Sequence, residues 1–218
     1  MFSAVIVAAG SGERTGLGYN KIFYKIKDKN LIEYSVDNFT KDEDFAEVII
    51  VVSKEDLKEV RKIFSNPKIK FVIGGSTRQK SVFNGLSLVN EEFVFIHDSA
   101  RPNISLEEIE KLKCSLKENN AAILYMPVKD SIIKFTNGKL LEYIDRSVIG
   151  LVQTPQAFNS ELIKRAHSLA IKSKMVYTDD ASLFRQELNQ KIAIIEGNEL
   201  NFKATTKHDL LLLEELLW

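Results

Sequence analysis

Short apolar runs alternate with stretches of helical periodicity along this chain, and that alternation constrains the fold more than any other feature. Apolar runs occupy residues 4–9, 48–52, 71–73, 93–96, 121–125 and 192–195. Each is short and apolar on consecutive positions, which predicts a strand covered on both faces. Between the runs, Leu57, Val60, Ile63 and Phe64 recur at helical spacing, as do Val82, Leu86 and Val89. So do Leu106, Ile109, Leu112 and Leu116, and then Leu162, Ala166 and Leu169. Thr206 and Asp209 have the spacing of a capping box, with Asp in place of Glu, at the start of a Leu-rich helix running to Trp218. Strand, helix, strand in this rhythm predicts an α/β fold, a Rossmann-like, mostly parallel sheet with helices on both faces.

One stretch departs from the rhythm. Residues 130–135 and 140–145 are β-rich and flank Asn137-Gly138, a strong short-range hairpin signal. A lone hairpin is only marginally stable, so this one is expected to pack on something else, a partner subunit being one candidate. There is no internal repeat and no long linker, so the expectation is a single domain over residues 1–218 with a hairpin arm at about 130–150.

Charge narrows the function. The 30 basic and 30 acidic side chains give a net charge of zero. A nucleic-acid-binding domain is usually basic, and so is a polybasic membrane-surface protein; neither is expected. The single Cys114 cannot form an internal disulfide, which suits a reducing compartment. It lies on a helical pattern with no Cys or His pair at metal spacing, and a buried structural thiol is expected. No apolar run approaches the ~20 residues of a membrane span. The N-terminus lacks the basic start and long apolar stretch of a signal peptide. A cytoplasmic location is the expectation.

The polar clusters fall where strands are predicted to end, the edge at which open α/β sheets bind ligands. In the first, Ala8, Ala9, Gly10 and Gly12 follow the first strand, with Arg14 and Lys21 further on. The glycines would let backbone amides approach a phosphate, and the cations would supply charge. A Gly-rich turn with solvated charges would look the same. The dinucleotide fingerprint fails, because Thr15 stands where its third Gly belongs and Ser53 where its acidic residue belongs. No Gly-Lys-Ser/Thr tripeptide is present for an NTPase P-loop. The second cluster, residues 74–81, has the small residues and hydroxyls that admit a flat ligand such as a base, or simply a turn and helix cap. The third places Asp98, Ser99 and Arg101 after the fourth strand, which suits a metal-phosphate or sugar-hydroxyl contact, or a capping Asp with an ion pair. His97 is expected to be packed, not a ligand. Asp179-Asp180 is ordinarily a solvated helix N-terminus, and Lys203 a surface lysine.

Together these clusters resemble the 2-C-methyl-D-erythritol 4-phosphate cytidylyltransferase family of the non-mevalonate isoprenoid pathway. The matching segments are 8–14 with Lys21, 74–81, 97–102, 127–131, 145–146, 153–158, 178–182 and 197–206, eight in order across nearly the whole chain. The resemblance implies transfer of CMP from CTP to methylerythritol phosphate, with Mg²⁺ as cofactor. It implies that Ala8, Ala9, Gly75 and Ser81 hold the cytosine, with Ser76 nearby, and that Asp98 and Ser99 face the ribose and acceptor side. Gly10 and Gly12 belong to the same nucleotide site. Arg14 and Lys21 would stabilise the transition state, and Lys203 would bind the α-phosphate and help position the acceptor. Arg101, Ser131, Arg146, Thr154 and Thr178 would hold the acceptor, with Arg146 also positioning it for attack. Asp98 would support the metal or its waters. The family's arm, carrying the equivalents of Ser131 and Arg146, crosses a homodimer into the neighbouring site.

Three positions depart from the family pattern: Ser131 stands for Thr, Ser76 for Asp, and Asn20 for a Pro that stiffens the loop before Lys21. Competing readings are a related enzyme using ribitol 5-phosphate, or a nucleotide-binding module without catalysis. Arg14, Lys21, Asp98 and Lys203 count against the module. Neutral on average, the chain is expected to gather Arg14, Lys21, Arg101, Arg146 and Lys203 into one positive cleft, offset by acidic faces such as Glu107-Glu108 and Glu214-Glu215.

Overall fold

A computed structural model describes residues 1–10, 12 and 15–217. The strands are β1 (Phe2–Val7), β2 (Lys25–Ile26), β3 (Lys29–Asn30), β4 (Phe45–Val52), β5 (Ile69–Ile73), β6 (Phe93–Asp98), β7 (Ala121–Pro127), β8 (Ile132–Thr136), β9 (Lys139–Ile144), β10 (Gly150–Asn159) and β11 (Ala193–Glu196). The helices are α1 (Leu31–Lys41), α2 (Leu57–Ile63), α3 (Arg78–Leu86), α4 (Leu106–Ser115), α5 (Ser160–Ser173), α6 (Asp180–Leu188) and α7 (Lys207–Leu216). Seven strands form one sheet in the order β11-β7-β10-β6-β1-β4-β5. Neighbours pair in parallel except around β10, which runs antiparallel to both β6 and β7.

The consecutive apolar residues of the strands bury both faces. Ala4, Ile6, Val48, Ile50, Val52 and Phe95 point to one side. They meet Ile32, Val36 and Phe39 of α1, Val60 of α2, and Ile109 and Leu112 of α4. Val5, Ile49, Val51, Val94 and Ile96 point to the other, against Val82 and Leu86 of α3, Ile163 and Ala166 of α5, and Phe184 of α6. This strict alternation is the pleat of a strand read off on two covered faces. Gly85 of α3 lies so close to the sheet that a Cβ there would sit 2.6 Å from Val5.

A third, smaller core has a separate task. Ile26 and Leu31 pack with Ala204, Leu210 and Leu213, docking α7 against the β2–β3 ribbon and the start of α1. The capping box of α7 forms as expected: Thr206 accepts from Asp209 N at 3.3 Å, and Asp209 accepts from Thr206 N at 2.7 Å. The helix closes at Leu216, and Trp218 lies outside the described residues.

The Asn-Gly turn is also as expected. Asn137 and Gly138 have φ of 47° and 72°, the double positive φ of a type I′ turn. Thr136 and Lys139 pair across it, and β8–β9 form a sheet of their own. The arm joins the end of β7 to the start of β10, so it leaves the main sheet at the edge where the parallel strands end. Phe135, Leu140, Leu141 and Tyr143 on it are all exposed.

Cys114 departs from expectation and is exposed. Ile109, Leu112 and Leu116 of the same helical stretch are buried, and so is Lys113. The next residue along is turned ~100° towards solvent.

Candidate active site

A cleft of about 450 Å³ opens at the carboxyl ends of β1 and β6, beside the loop that joins β5 to α3. Ala8, Ala9, Gly10 and Gly12 line it from the first loop. Gly12 has φ +71°, and a Cβ there would meet the backbone N of Lys21 at 3.0 Å, so the turn favours glycine. Lys21 opens a short 3₁₀ turn, Lys21–Phe23, capped by Asn20. Asn20 Nδ2 also donates to Asp56 Oδ2 at 2.8 Å. The loop is thus pinned by an amide side chain where stiffness from Pro is absent. Lys21 Nζ crosses the cleft to donate to the carbonyl of Ala204 at 2.7 Å, which ties the first loop to the segment before α7.

The second wall is the β5–α3 loop, where Gly75, Ser76 and Ser81 line the cleft. Gly75 N donates to Ser81 Oγ at 3.0 Å, and Ser81 Oγ donates to the carbonyl of Thr77 at 2.9 Å. Thr77 caps α3 by accepting from Lys80 N at 3.1 Å, so a turn with a helix cap and a cleft wall are the same feature. A Cβ at Gly74 would lie 2.5 Å from Ala9 Cβ and 2.8 Å from Ser81 Oγ, which fixes how closely the two loops approach.

The floor is the end of β6. Asp98 and Ser99 line the cleft, and Ser99 Oγ donates to the carbonyl of Val7 at 2.9 Å. Asp98 Oδ2 accepts from Lys203 Nζ at 2.6 Å, and Asp98 Oδ1 accepts from Arg78 Nε at 3.0 Å. Burial pushes the Asp98 carboxyl up, but Arg78 and Lys203 together outweigh it and hold the group well below the usual carboxylate range. Arg78 Nη1 donates to Asp180 Oδ2 at 2.8 Å, and Asp180 Oδ1 lies 3.2 Å from His167 Nε2. Asp180 is buried, so the Asp-Asp pair is not a solvated helix end. Arg78 has no signal of its own in the sequence, and Asp180 reads there only as a helix end. Charge complementarity between the 74–81 and 178–182 segments was the available signal.

The reversal of β10 brings its early residues to the same edge. Asp98 N donates to Thr154 Oγ1 at 3.1 Å, and Thr154 Oγ1 lies 3.1 Å from His97 Nδ1. His97 Nε2 lies 3.0 Å from the carbonyl of Arg101. This pattern requires an Nε2–H tautomer that donates to Arg101 and accepts from the Thr154 hydroxyl. Burial holds the His97 pKa down at about 4, which keeps the ring neutral, and the expectation of a packed histidine holds. Arg101 Nη1 donates to the carbonyl of Asn201 at 2.6 Å, and Asn201 Nδ2 donates to the carbonyl of Thr154 at 3.0 Å. The four side chains close a ring behind the cleft floor.

A model of the 2-C-methyl-D-erythritol 4-phosphate cytidylyltransferase family, IspD, matches residues 2–218. The chain belongs to that family. It is similar to the cytidylyltransferase of that name from Halalkalibacterium halodurans, 38% identical over 99% of this chain and 96% of the relative. The 4-diphosphocytidyl-2C-methyl-D-erythritol synthase from Anaerococcus prevotii superposes with a TM-score of 0.88 at 29% identity, covering 100% of this chain and 98% of that one. The cytidylyltransferase from Thermus thermophilus superposes with a TM-score of 0.80 at 29% identity, over 98% of this chain and 97% of that one. The chain is therefore a nucleotidyltransferase, and the mostly parallel fold and separate hairpin match that family.

Lys21 and Lys203 reach the cleft lining, and Arg101 sits behind it in the ring with His97. Arg14 lies outside the described residues. Thr154 is buried, with its hydroxyl engaged by both Asp98 N and His97. Thr178 is exposed just ahead of α6. Ser131 and Arg146 are exposed on the arm and do not line the cleft; Arg146 Nη1 donates to the carbonyl of Lys129. Lys203 is not a free surface lysine but half-buried against Asp98. Glu108 likewise belongs to no exposed acidic face: it is buried, closing the capping box of α4 with Ser105.

One acidic group could be mistaken for a metal site. Asp42, Asp44 and Glu110 bring carboxylate oxygens within 4.8 Å of one another. The ammonium of Lys113 already bonds all three, and the group lies at the amino end of β4, the opposite edge from the cleft. Among the described residues, no helix is long and apolar enough to cross a membrane.

Proposed function

We propose that this chain transfers CMP from CTP to 2-C-methyl-D-erythritol 4-phosphate, releasing pyrophosphate and forming 4-diphosphocytidyl-2-C-methyl-D-erythritol. The observation that carries the reading is the pairing of both Lys203 and Arg78 with Asp98 at the floor of a glycine-walled cleft that Lys21 also lines, in a chain matched by the IspD model over residues 2–218. The acceptor's phosphate oxygen attacks the α-phosphorus in line, a new P–O–P bridge forms, and the bond to pyrophosphate breaks. The nucleophile is already an anion, so no strong base is needed. The barrier lies in bringing two polyanions together and spreading charge in the five-coordinate transition state. Lys21, Lys203 and Arg14 would meet that charge. Ala8, Ala9, Gly75, Ser76 and Ser81 would hold the base, and Asp98 and Ser99 the ribose.

The donor set fits a divalent ion that travels with the triphosphate. Asp98 is the one carboxylate among the described cleft-lining residues, and each of its oxygens already meets a cation. Mg²⁺ keeps several waters and binds through one or two carboxylates plus substrate phosphates. With both oxygens engaged, Asp98 would support the ion through its waters, which its remaining lone pairs could accept from, and the ion would neutralise phosphate charge.

The arm gives the site its second half. A two-stranded ribbon with Phe135, Leu140, Leu141 and Tyr143 exposed needs a surface to cover it, and a second copy of this chain is the partner proposed. Ser131 and Arg146 would then hold the acceptor in the neighbouring cleft, beside Arg101, Thr154 and Thr178. A soluble, cytoplasmic homodimer whose catalytic unit spans the whole chain follows.

Pyrophosphate release, measured with CTP and either methylerythritol phosphate or ribitol 5-phosphate, tests this reading. Turnover with the first acceptor and little with the second is expected. The reverse preference would make it a different polyol-phosphate enzyme, and no turnover with either would leave a binding module.

A further inference from the structure

Lys203 has a problem that its neighbours solve. To turn its charge fully onto a phosphate it gives up its close contact with Asp98, to which it is bonded at 2.6 Å. Asp98 is buried, and a buried carboxylate stripped of its only partner is costly, so a simple pair would hold the lysine back. Asp98 has a second partner. Arg78 Nε occupies the other oxygen at 3.0 Å. Arg78 is itself fixed from behind, because Nη1 bonds the buried Asp180 at 2.8 Å.

The fixing continues outward. Asp180 lies against His167 of α5 at 3.2 Å. Asp179 accepts from Gln156 Nε2 of β10 at 2.8 Å, and Gln156 Oε1 accepts from Ala181 N at 2.9 Å. The start of α6 is thus joined to β10 and α5, and Arg78 spans from it to the cleft floor. Two cations on one carboxylate also repel each other, which loosens whichever is held by a flexible stem. That one is Lys203: it makes a single bond to Asp98, whereas Arg78 is forked between two carboxylates.

We infer that Arg78 is a positioning residue that makes Lys203 transferable, keeping Asp98 paired while the lysine moves from the carboxylate to the phosphates of the bound nucleotide. The inference rests on the functional reading above for the identity of those phosphates. It assigns Arg78 no contact with substrate; its effect on the reaction passes through Lys203.

A double-mutant cycle in the full chain tests it. Arg78→Gln, Lys203→Ala and the double variant are compared by kcat/KM for CTP, under single-turnover conditions with enzyme in excess so that slow variants are still read. Arg78→Gln is expected to lower kcat/KM about tenfold or more, and Arg78→Lys by less, since it keeps the charge but not the fork. In the Lys203→Ala background, Arg78→Gln should add less than about a twofold loss, because the group it acts through is gone. Losses that multiply in the double variant, or a folded Arg78→Gln with wild-type kcat/KM, would overturn the inference. If melting curves show that Arg78→Gln does not fold, Arg78→Lys carries the same cycle with the same criterion. Absence of turnover in the wild type would sink the functional reading; wild-type turnover with a multiplicative cycle sinks only the role of Arg78.

Discussion

Lys203 and Asp98, 105 residues apart in the chain, meet at 2.6 Å at the cleft floor. The contact joins the end of β6 to the segment held in place by α7 and the β2–β3 ribbon. Lys203→Ala removes one preorganised charge while leaving Asp98 paired to Arg78. The expected result is a folded protein with kcat lowered by about a hundredfold or more, the scale for losing one such donor. Steady-state kinetics beside a thermal melt check it; kcat near wild type would remove Lys203 from the chemistry.

The approach of the two glycine-bearing loops makes Gly74 a sensitive position. In Gly74→Ala the new methyl would lie 2.5 Å from Ala9 Cβ and 2.8 Å from Ser81 Oγ, neither of them the end of a long flexible chain. The loops must part, at a cost of about 1–3 kcal/mol. KM for CTP should rise several-fold more than KM for the acceptor. Equal changes in both, measured at saturating co-substrate, would place the nucleotide elsewhere.

His97 sets a pH dependence of stability. Burial lowers its pKa from 6.5 to about 4, so between those values the unfolded chain binds a proton that the folded protein does not. Stability is full above about pH 6.5 and falls as the pH drops towards 4. At pH 5 the loss from this group is about 2 kcal/mol. Asp98 and Asp180, both held low, titrate below this window and do not offset it. Denaturant unfolding of wild type and His97→Asn at about pH 7 and pH 5 isolates the effect. The wild type should lose about 2 kcal/mol more than the variant; parallel curves would mean the ring is not buried neutral.

The crossing arm predicts complementation between subunits. Lys21→Ala should damage a chain's own cleft, and Arg146→Ala the neighbour's. Each variant alone should be nearly inactive, and mixed, exchanged dimers should recover part of the activity, because some clefts then carry both residues. Arg146→Ala should also leave CTP affinity almost unchanged. Confirmed exchange without recovery would argue against a shared site.

The parts of the fold that could be read in the sequence are those with local causes. Consecutive apolar residues such as Val48 to Val52 require two covered faces, and Asn137-Gly138 carries its own turn conformation. β10 is hidden because Gln153, Thr154 and Gln156 interrupt its apolar pattern while being buried, bonded to Asn198, His97, Asp179 and Ala181 from other elements. The glycine loops, Lys21 and Asp98 announced themselves by their place after predicted strands. Arg78 and Asp180 did not, since the pairing that gives them meaning spans 102 residues. The zero net charge likewise conceals a local arrangement: Lys21, Lys203 and Arg78 share the cleft with Asp98 as its carboxylate among the described lining residues.

The most direct test of the account is the phosphorus NMR spectrum of a reaction containing the protein, CTP, methylerythritol phosphate and Mg²⁺. Coupled resonances of a new unsymmetrical diphosphate diester should appear together with pyrophosphate in equal amount, as the CTP and acceptor signals decline. Unchanged substrate signals from folded protein, or pyrophosphate accompanied by free CMP in place of the diester, would contradict cytidylyl transfer to this acceptor.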